Sequence, residues 1–297
     1  MAAMKQPNWL EPWQRAFGNA INQPLTFSTG SLQIQAPPMD PDRCFASATG
    51  ERVGGSLAVY NRQYWFRLFS TLQGDLAITA SLIGPWALNQ VLSRALTATP
   101  PKSKLLSDLV RALEPALRTA FDAGGWPGAE DALLRAQVQE CLTIDLAHLS
   151  LLTAPAETPW VPTTAELARL DRLTLRPAGS LRIVTQSAPL LQHRVAPAVP
   201  TDGRPLGPLP SLPLPESWAL FRHENGMGRL QLRDLEQVFW SQAFDLPLGD
   251  LLVKLEQRVD IRPAELATML RRNLDRAVKL GWLAQPSPVT DTAEERT

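Results

Sequence analysis

Apolar residues recur at helical spacing between residues 57 and 152, and from about residue 173 onward they fall in short alternating or β-branched runs. Tyr60, Tyr64, Leu68 and Leu72 share one helical face, and Ile83-Gly84-Pro85 marks a turn before a helix over 86–96 that Pro100-Pro101 stops. A helix is predicted over 103–119, with Pro115 as a break. After the turn Gly124-Gly125-Trp126-Pro127-Gly128, a long one follows over 130–152, with the apolar stripe Leu134, Val138, Cys141, Leu142 and Leu149. Helices joined by short Gly/Pro turns make a bundle over 57–155. Beyond Pro155, Pro159 and Pro162 come strand-like runs at Leu173-Thr174-Leu175, 181–185, 218–222 and 229–232. The last two are separated by Glu224-Asn225-Gly226-Met227-Gly228, a hairpin signal. Helices over 233–244, 248–257 and 263–280 close this part, with Pro263 suited to a first helical position and Gly281 to a helix stop.

The expected fold is therefore α+β: a helical bundle, then a winged-helix-like domain over 156–284 with a small antiparallel sheet and three helices. Residues 1–56, broken by Pro7, Pro12, Pro37, Pro38 and Pro41, read as an extended arm whose Trp9 and Trp13 need a surface to lie on, and 285–297 as a polar tail. Seven prolines fall within 197–215, which reads as a loop or polyproline-like spacer between strands.

Of the 297 residues, 29 are basic and 29 acidic, so the bulk field is not that of a chain that grips nucleic acid. Two cysteines (Cys44, Cys141) and three histidines (His148, His193, His223) are too few for a zinc cluster or a disulfide framework. With no long apolar run and no charged leader before an apolar core, the chain is expected in the cytoplasm without a membrane partner.

Candidate chemistry is sparse. Gly-x-Ser-x-Gly, phosphate-binding Gly-rich and His-Glu-x-x-His motifs are absent. Asp145 and His148, three apart on a helix, suggest a catalytic or metal-binding pair, against a plain helix-surface hydrogen bond. His193, His223 and Glu224 would need to converge in space to hold a metal. The last helix carries Arg271, Arg272, Arg276 and Lys279, yet acidic residues slightly outnumber basic ones from Trp218 onward, which disfavours duplex DNA. An acidic or mixed peptide fits better, pairing as a strand with Arg229, Leu230, Gln231 and Leu232 while its side chains enter a groove beside Arg271, Leu274, Asp275 and Val278. The run 59–69 is too aromatic for one buried face, so Tyr60, Arg62, Trp65, Phe66 and Phe69 are candidates for a partner interface or for packing beneath the arm.

Two stretches carry a resemblance: Tyr60-Asn61-Arg62-Gln63-Tyr64-Trp65-Phe66-Arg67-Leu68-Phe69 with Leu82-Ile83-Gly84, and Leu173-Thr174-Leu175-Arg176-Pro177 through Leu181-Arg182-Ile183-Val184 into 218–257. Together they resemble the accessory subunits encoded beside multinuclear non-haem iron oxidative enzymes. The nearer likeness is to the partner subunit of thiaglutamate peptide biosynthesis, the more distant one to that of methanobactin biosynthesis. The resemblance implies a non-catalytic subunit that binds the leader of a ribosomally made precursor peptide (a RiPP precursor) and presents its cysteine to a TIM-barrel partner in a heterodimer. That partner, not this chain, would hold the iron ions and carry out oxygen-dependent cysteine modification, in the thiaglutamate case excision of the cysteine β-carbon. The proline-rich 197–215 and the first 55 residues depart from the family's general pattern. A winged-helix DNA-binding regulator is the alternative, and a free-standing enzyme using Asp145 and His148 a third.

Overall fold

The structure, a computed structural model, describes residues 10–27, 34–35, 53–101, 106–195, 204–233, 235–258 and 262–285. It is α+β and divides into two compact units, Met1–Leu142 with His193–Pro208, and Thr143–Gln192 with Leu209–Thr297. The expected boundary near residue 155 is thus displaced into a helix, and part of the proline-rich segment belongs to the first unit. Among the described residues, no helix is long and apolar enough to cross a membrane.

The first unit contains α1 (Leu10–Ile21), a two-residue ladder of β1 (Thr26–Phe27) with β2 (Ile34–Gln35), α2 (Val53–Asp75), α3 (Ala77–Ala98), α4 (Leu106–Asp122) and the start of α5 (Ala132–Thr153). The arm expected to be extended therefore includes a three-turn helix. Its attachment explains the polar residue in the aromatic run of α2: Asn61, fully buried, donates its side-chain amide to the carbonyls of Ile21 (2.9 Å) and Gln23 (2.8 Å). The indole of Trp65 donates to Gln23 as well, at 2.8 Å. Carbonyls that a helix end leaves without a partner are thus met by side chains of the next helix. Trp9 and residues 36–52 lie outside the described residues.

Gly84-Pro85 breaks α3 where the sequence predicts a turn. Gly84 takes φ 82°, ψ 153°, a conformation open to glycine, and Pro85 has no N–H to return to Ser81. The carbonyls so released are recovered from far along the chain: Leu206 N–H donates to Ser81 and Gly207 N–H to Leu82, both at 3.0 Å. The described part of the proline-rich segment is accordingly a structural strut of the first unit rather than a spacer. Arg94 closes the turn after α4 by donating to the carbonyls of Gly124 and Gly125, each at φ 69°.

In the second unit, β4 (Leu181–Gln186), β5 (Glu216–His223) and β6 (Gly226–Leu232) form an antiparallel sheet in that order. A two-residue turn, Glu224-Asn225, joins β5 to β6, with Gly226 at φ 124°. Three helices follow, α8 (Leu235–Gln242), α9 (Leu248–Arg258) and α10 (Pro263–Lys279), and a short β7 (Leu283–Ala284) pairs with β3 (Arg176–Pro177). A small helix α6 (Thr164–Leu167) and a 3₁₀ turn (Leu170–Arg172) precede β3, and a one-turn helix α7 (Gln192–Val195) spans the point where the chain passes into the first unit. The run Leu173-Thr174-Leu175 is not a strand; Leu173 instead accepts a backbone hydrogen bond from Leu248 at the start of α9. Helix α10 begins with Pro263 and ends at Gly281 (φ 64°), where Trp282 N–H reaches Ala277 and Gly281 N–H reaches Val278. This 6→1 and 5→2 pair is the usual way of sealing a helix end with glycine.

The core of the second unit is aromatic. Trp240 and Trp282 meet edge to face at 5.5 Å, Phe221 lies 5.4 Å from Trp282, and Leu248, Leu251, Leu255 and Leu266 fill in around them. Buried apolar area at about 25 cal/mol per Å² makes this cluster the main support for the placement of α10 on the sheet.

Replacing Gly84 with Ala forces a side chain into backbone geometry that L residues avoid. We expect a loss of about 1–3 kcal/mol in chemical denaturation, with faster hydrogen exchange at the Leu206 and Gly207 amides.

Candidate functional site

Strand β6 is the outer strand of its sheet, so one of its edges has no ladder partner among the described residues. The two-residue turn makes His223–Gly226 the closing, hydrogen-bonded pair, and bonded pairs then alternate along the ladder. Phe221–Gly228 and Ala219–Leu230 are therefore bonded, while Met227, Arg229 and Gln231 direct their N–H and C=O groups to the open edge. An edge of this kind is a template for another strand.

Alternation also sorts the side chains. Leu230 and Leu232 face the helices with Ala219 and Phe221, and Leu232 is buried in the core. Arg229 points to the other face, where its guanidinium lies 5.8 Å above the Trp218 ring and donates to the Leu191 carbonyl at 2.7 Å. Its charge is thus already engaged, and what it offers at the edge is main chain.

Between β6 and α10 runs an open groove of about 680 Å³ lined by Phe221, Arg229, Leu230, Thr268, Arg271, Arg272, Asp275, Arg276, Lys279 and Leu280. A second hollow of about 440 Å³ shares Thr268 and Arg272 and continues past Met269 to Arg262 at the helix start. Of the expected peptide-binding residues, Arg229, Leu230, Arg271 and Asp275 line this groove. Leu232 and Leu274 instead pack on the core, and Gln231 and Val278 are half-buried away from the lining.

Charge in the groove is organised by Glu236, a residue the sequence reading passed over. Its carboxylate, in the first turn of α8 and 11% exposed, accepts from Arg272 at 2.9 Å and from Arg276 at 3.1 Å. The signal was present: arginines four apart on one helix face repel unless a carboxylate sits between them. Arg271 and Lys279, by contrast, have no ion-pair partner among the described residues. Counting Arg271, Arg272, Arg276 and Lys279 against Asp275 and Glu236, the helix side of the groove carries a net +2.

The expected interface on α2 splits. Tyr60 (55% exposed), Arg62 and Phe66 (47%) face outward with Val59, whereas Trp65 and Phe69 are buried in the chain's own core and present no surface. Trp65 is turned inward by its bond to Gln23, and Phe69 stacks on Trp65 at 5.6 Å. Asp145 is fully buried, and His148 places its Nδ1 2.9 Å from the Ile144 carbonyl of its own helix. No group of three or more His, Cys, Asp or Glu side chains able to hold a metal ion occurs among the described residues, so the set His193, His223 and Glu224 is not one. His223 instead accepts the Asn225 N–H inside the hairpin turn.

Comparison with family models, with curated proteins and with solved structures found no match.

A Cβ at Gly228 would stand 2.5 Å from the ring carbons of Phe221, which is itself held against Trp282. Gly228→Ala is therefore expected to cost about 1–3 kcal/mol in thermal unfolding, by pushing the ring into the core or the groove. Glu236→Gln frees two arginines to face the groove. It should lower stability by about 1–2 kcal/mol and raise affinity for polyglutamate-containing peptides in a binding titration.

Proposed function

We propose that this chain is the peptide-binding, non-catalytic subunit of an iron-dependent oxidative complex that modifies a ribosomally made precursor peptide. The observation that carries this reading is the open edge of β6 facing the basic side of α10 across a groove. Strand addition supplies affinity through main-chain hydrogen bonds, which are indifferent to sequence, while side-chain pockets beside the added strand supply selectivity. Three antiparallel strands followed by three helices, with the groove between the last strand and the last helix, support the reading of a winged-helix-like peptide-recognition domain.

In this reading the leader lies along β6 and leaves the cysteine-bearing end free to enter the partner's TIM barrel. The partner holds the iron ions and carries out the oxidative step, of the thiaglutamate type; this chain contributes position and raises the effective concentration of the cysteine at the partner. The outward row Val59, Tyr60, Arg62 and Phe66 on α2 supports a protein interface in the first unit, since exposed aromatic residues beside an arginine are typical of such contacts. The alternative, a winged-helix regulator reading duplex DNA, draws on the same basic face of α10, but Glu236 already neutralises part of it.

Co-expression with a multinuclear non-haem iron enzyme of the kind the resemblance implies, followed by size exclusion with mass detection and an iron assay, should give a one-to-one complex with iron confined to the partner. Combined charge reversal, Arg271→Glu with Lys279→Glu, should weaken binding of the precursor at least tenfold, about 1.4 kcal/mol, with an unchanged melting temperature, because neither side chain has an ion-pair partner among the described residues. Duplex DNA binding whose affinity falls with salt at a log–log slope of about −6 or steeper would replace this reading by the regulator.

A further inference from the structure

Resting on that reading of the groove, we infer that α10 selects a peptide whose side chains on one face alternate acidic, basic, acidic at every second residue. Arg271, Asp275 and Lys279 follow one another four apart on α10, and all three line the groove. Groups of opposite charge at this spacing ordinarily pair along the helix. Here they do not: neither Arg271 nor Lys279 forms an ion pair with Asp275, and all three side chains are exposed. Arg272 and Arg276, one position further round, are taken by Glu236, so the unpaired row reads plus, minus, plus.

Its geometry suits an extended chain. Four residues of helix rise about 6 Å, and alternate residues of a strand are about 6.7 Å apart. Over the whole row the two differ by roughly 1.5 Å, well within the reach of Arg, Lys and Glu side chains. Rows of i, i+4 positions are inclined by only about 26° to the helix axis, so one face of a strand laid along the groove stays over the row. Side chains of that strand pointing to α10 would be those at i, i+2 and i+4, and those between would point away. The pattern acidic-x-basic-x-acidic reads the same in both chain directions, so it holds whether the peptide adds parallel or antiparallel to β6.

The test compares labelled nine-residue peptides in a Thr/Val background by fluorescence anisotropy on the full chain. Glu-x-Lys-x-Glu and Lys-x-Glu-x-Glu have the same composition and net charge, and the first should bind roughly five- to tenfold tighter, as expected for half-exposed pairs exchanged for like-charge contacts. Asp275→Lys should invert the middle preference, so that Glu-x-Glu-x-Glu overtakes Glu-x-Lys-x-Glu. Equal affinity of the two isomeric peptides, or no inversion with Asp275→Lys, overturns the charge row. A separate control addresses the groove: Gln231→Pro deletes an outward N–H of β6 and should weaken every peptide, because an outer strand tolerates proline but cannot then donate there. If peptides bind with the expected preference but ignore Gln231→Pro, strand addition is wrong; if no peptide binds, the groove reading and the charge row both fall.

Discussion

A buried side-chain amide bonded to an indole cannot rotate or slide without leaving both groups unsatisfied in a dry core. Asn273, fully buried in the middle of α10, accepts from the Trp240 indole at 3.1 Å and donates to the Met269 carbonyl at 3.0 Å. Leu266, Met269, Leu270 and Ala277 pack on the same side. This buried polar contact, together with the ion pairs from Glu236 of α8 to Arg272 and Arg276, fixes the rotation of α10 about its own axis, since a turn of one residue would remove Asn273 from Trp240. With that rotation set, Arg271, Asp275 and Lys279 are held on the groove side and Arg272 and Arg276 over Glu236. The chemistry of the groove thus depends in part on a hydrogen bond on the helix's opposite face.

The first unit shows the same logic with backbone groups. Helix α3 is interrupted by a glycine and a proline, and an interrupted helix in a buried position must find donors for the carbonyls it frees. Leu206 and Gly207 provide them. Burial raises the carboxyl pKa of Asp75 above its ordinary value, and Arg194 of the same returning segment offsets part of that rise. On α2, Asn61 and Trp65 do for the end of α1 what Leu206 and Gly207 do for the break in α3.

Much of this was legible in the chain. Hydrophobic period and turn chemistry located α3 through α5, the β5–β6 hairpin and α10 with its Pro263 and Gly281 ends, because each rests on local residue preferences. The groove was legible as a pair of elements, an edge strand beside an arginine-bearing helix, but only half of the residues expected to line it do so. Leu274 and Val278 lie next to the groove positions in sequence, and a rotation of a helix by one residue is invisible until its core contacts are known. Glu236 escaped because its partners are distant in sequence. Trp65 and Phe69 read as surplus surface because the segment that takes the Trp65 indole, Gln23 just past α1, lies in a stretch whose prolines suggest no ordered element. Leu173-Thr174-Leu175 has strand composition but pairs through a single backbone bond, so propensity yielded to tertiary context.

The strut formed by Leu206 and Gly207 also governs how the molecule can be taken apart. Because the chain passes from the first unit to the second, back, and over again, no single cut yields two intact halves. A fragment beginning at Thr143 would carry residues 193–208 away from the helix whose carbonyls they serve, and a fragment ending at Leu142 would leave Ser81 and Leu82 open to water. During synthesis the same arrangement delays completion: α3 emerges early, yet its break stays unsealed until the ribosome has passed Gly207, by which time β4 has already been made. Assembly of the N-terminal helices is in this respect conditional on a stretch that belongs, by sequence position, to the other half of the protein.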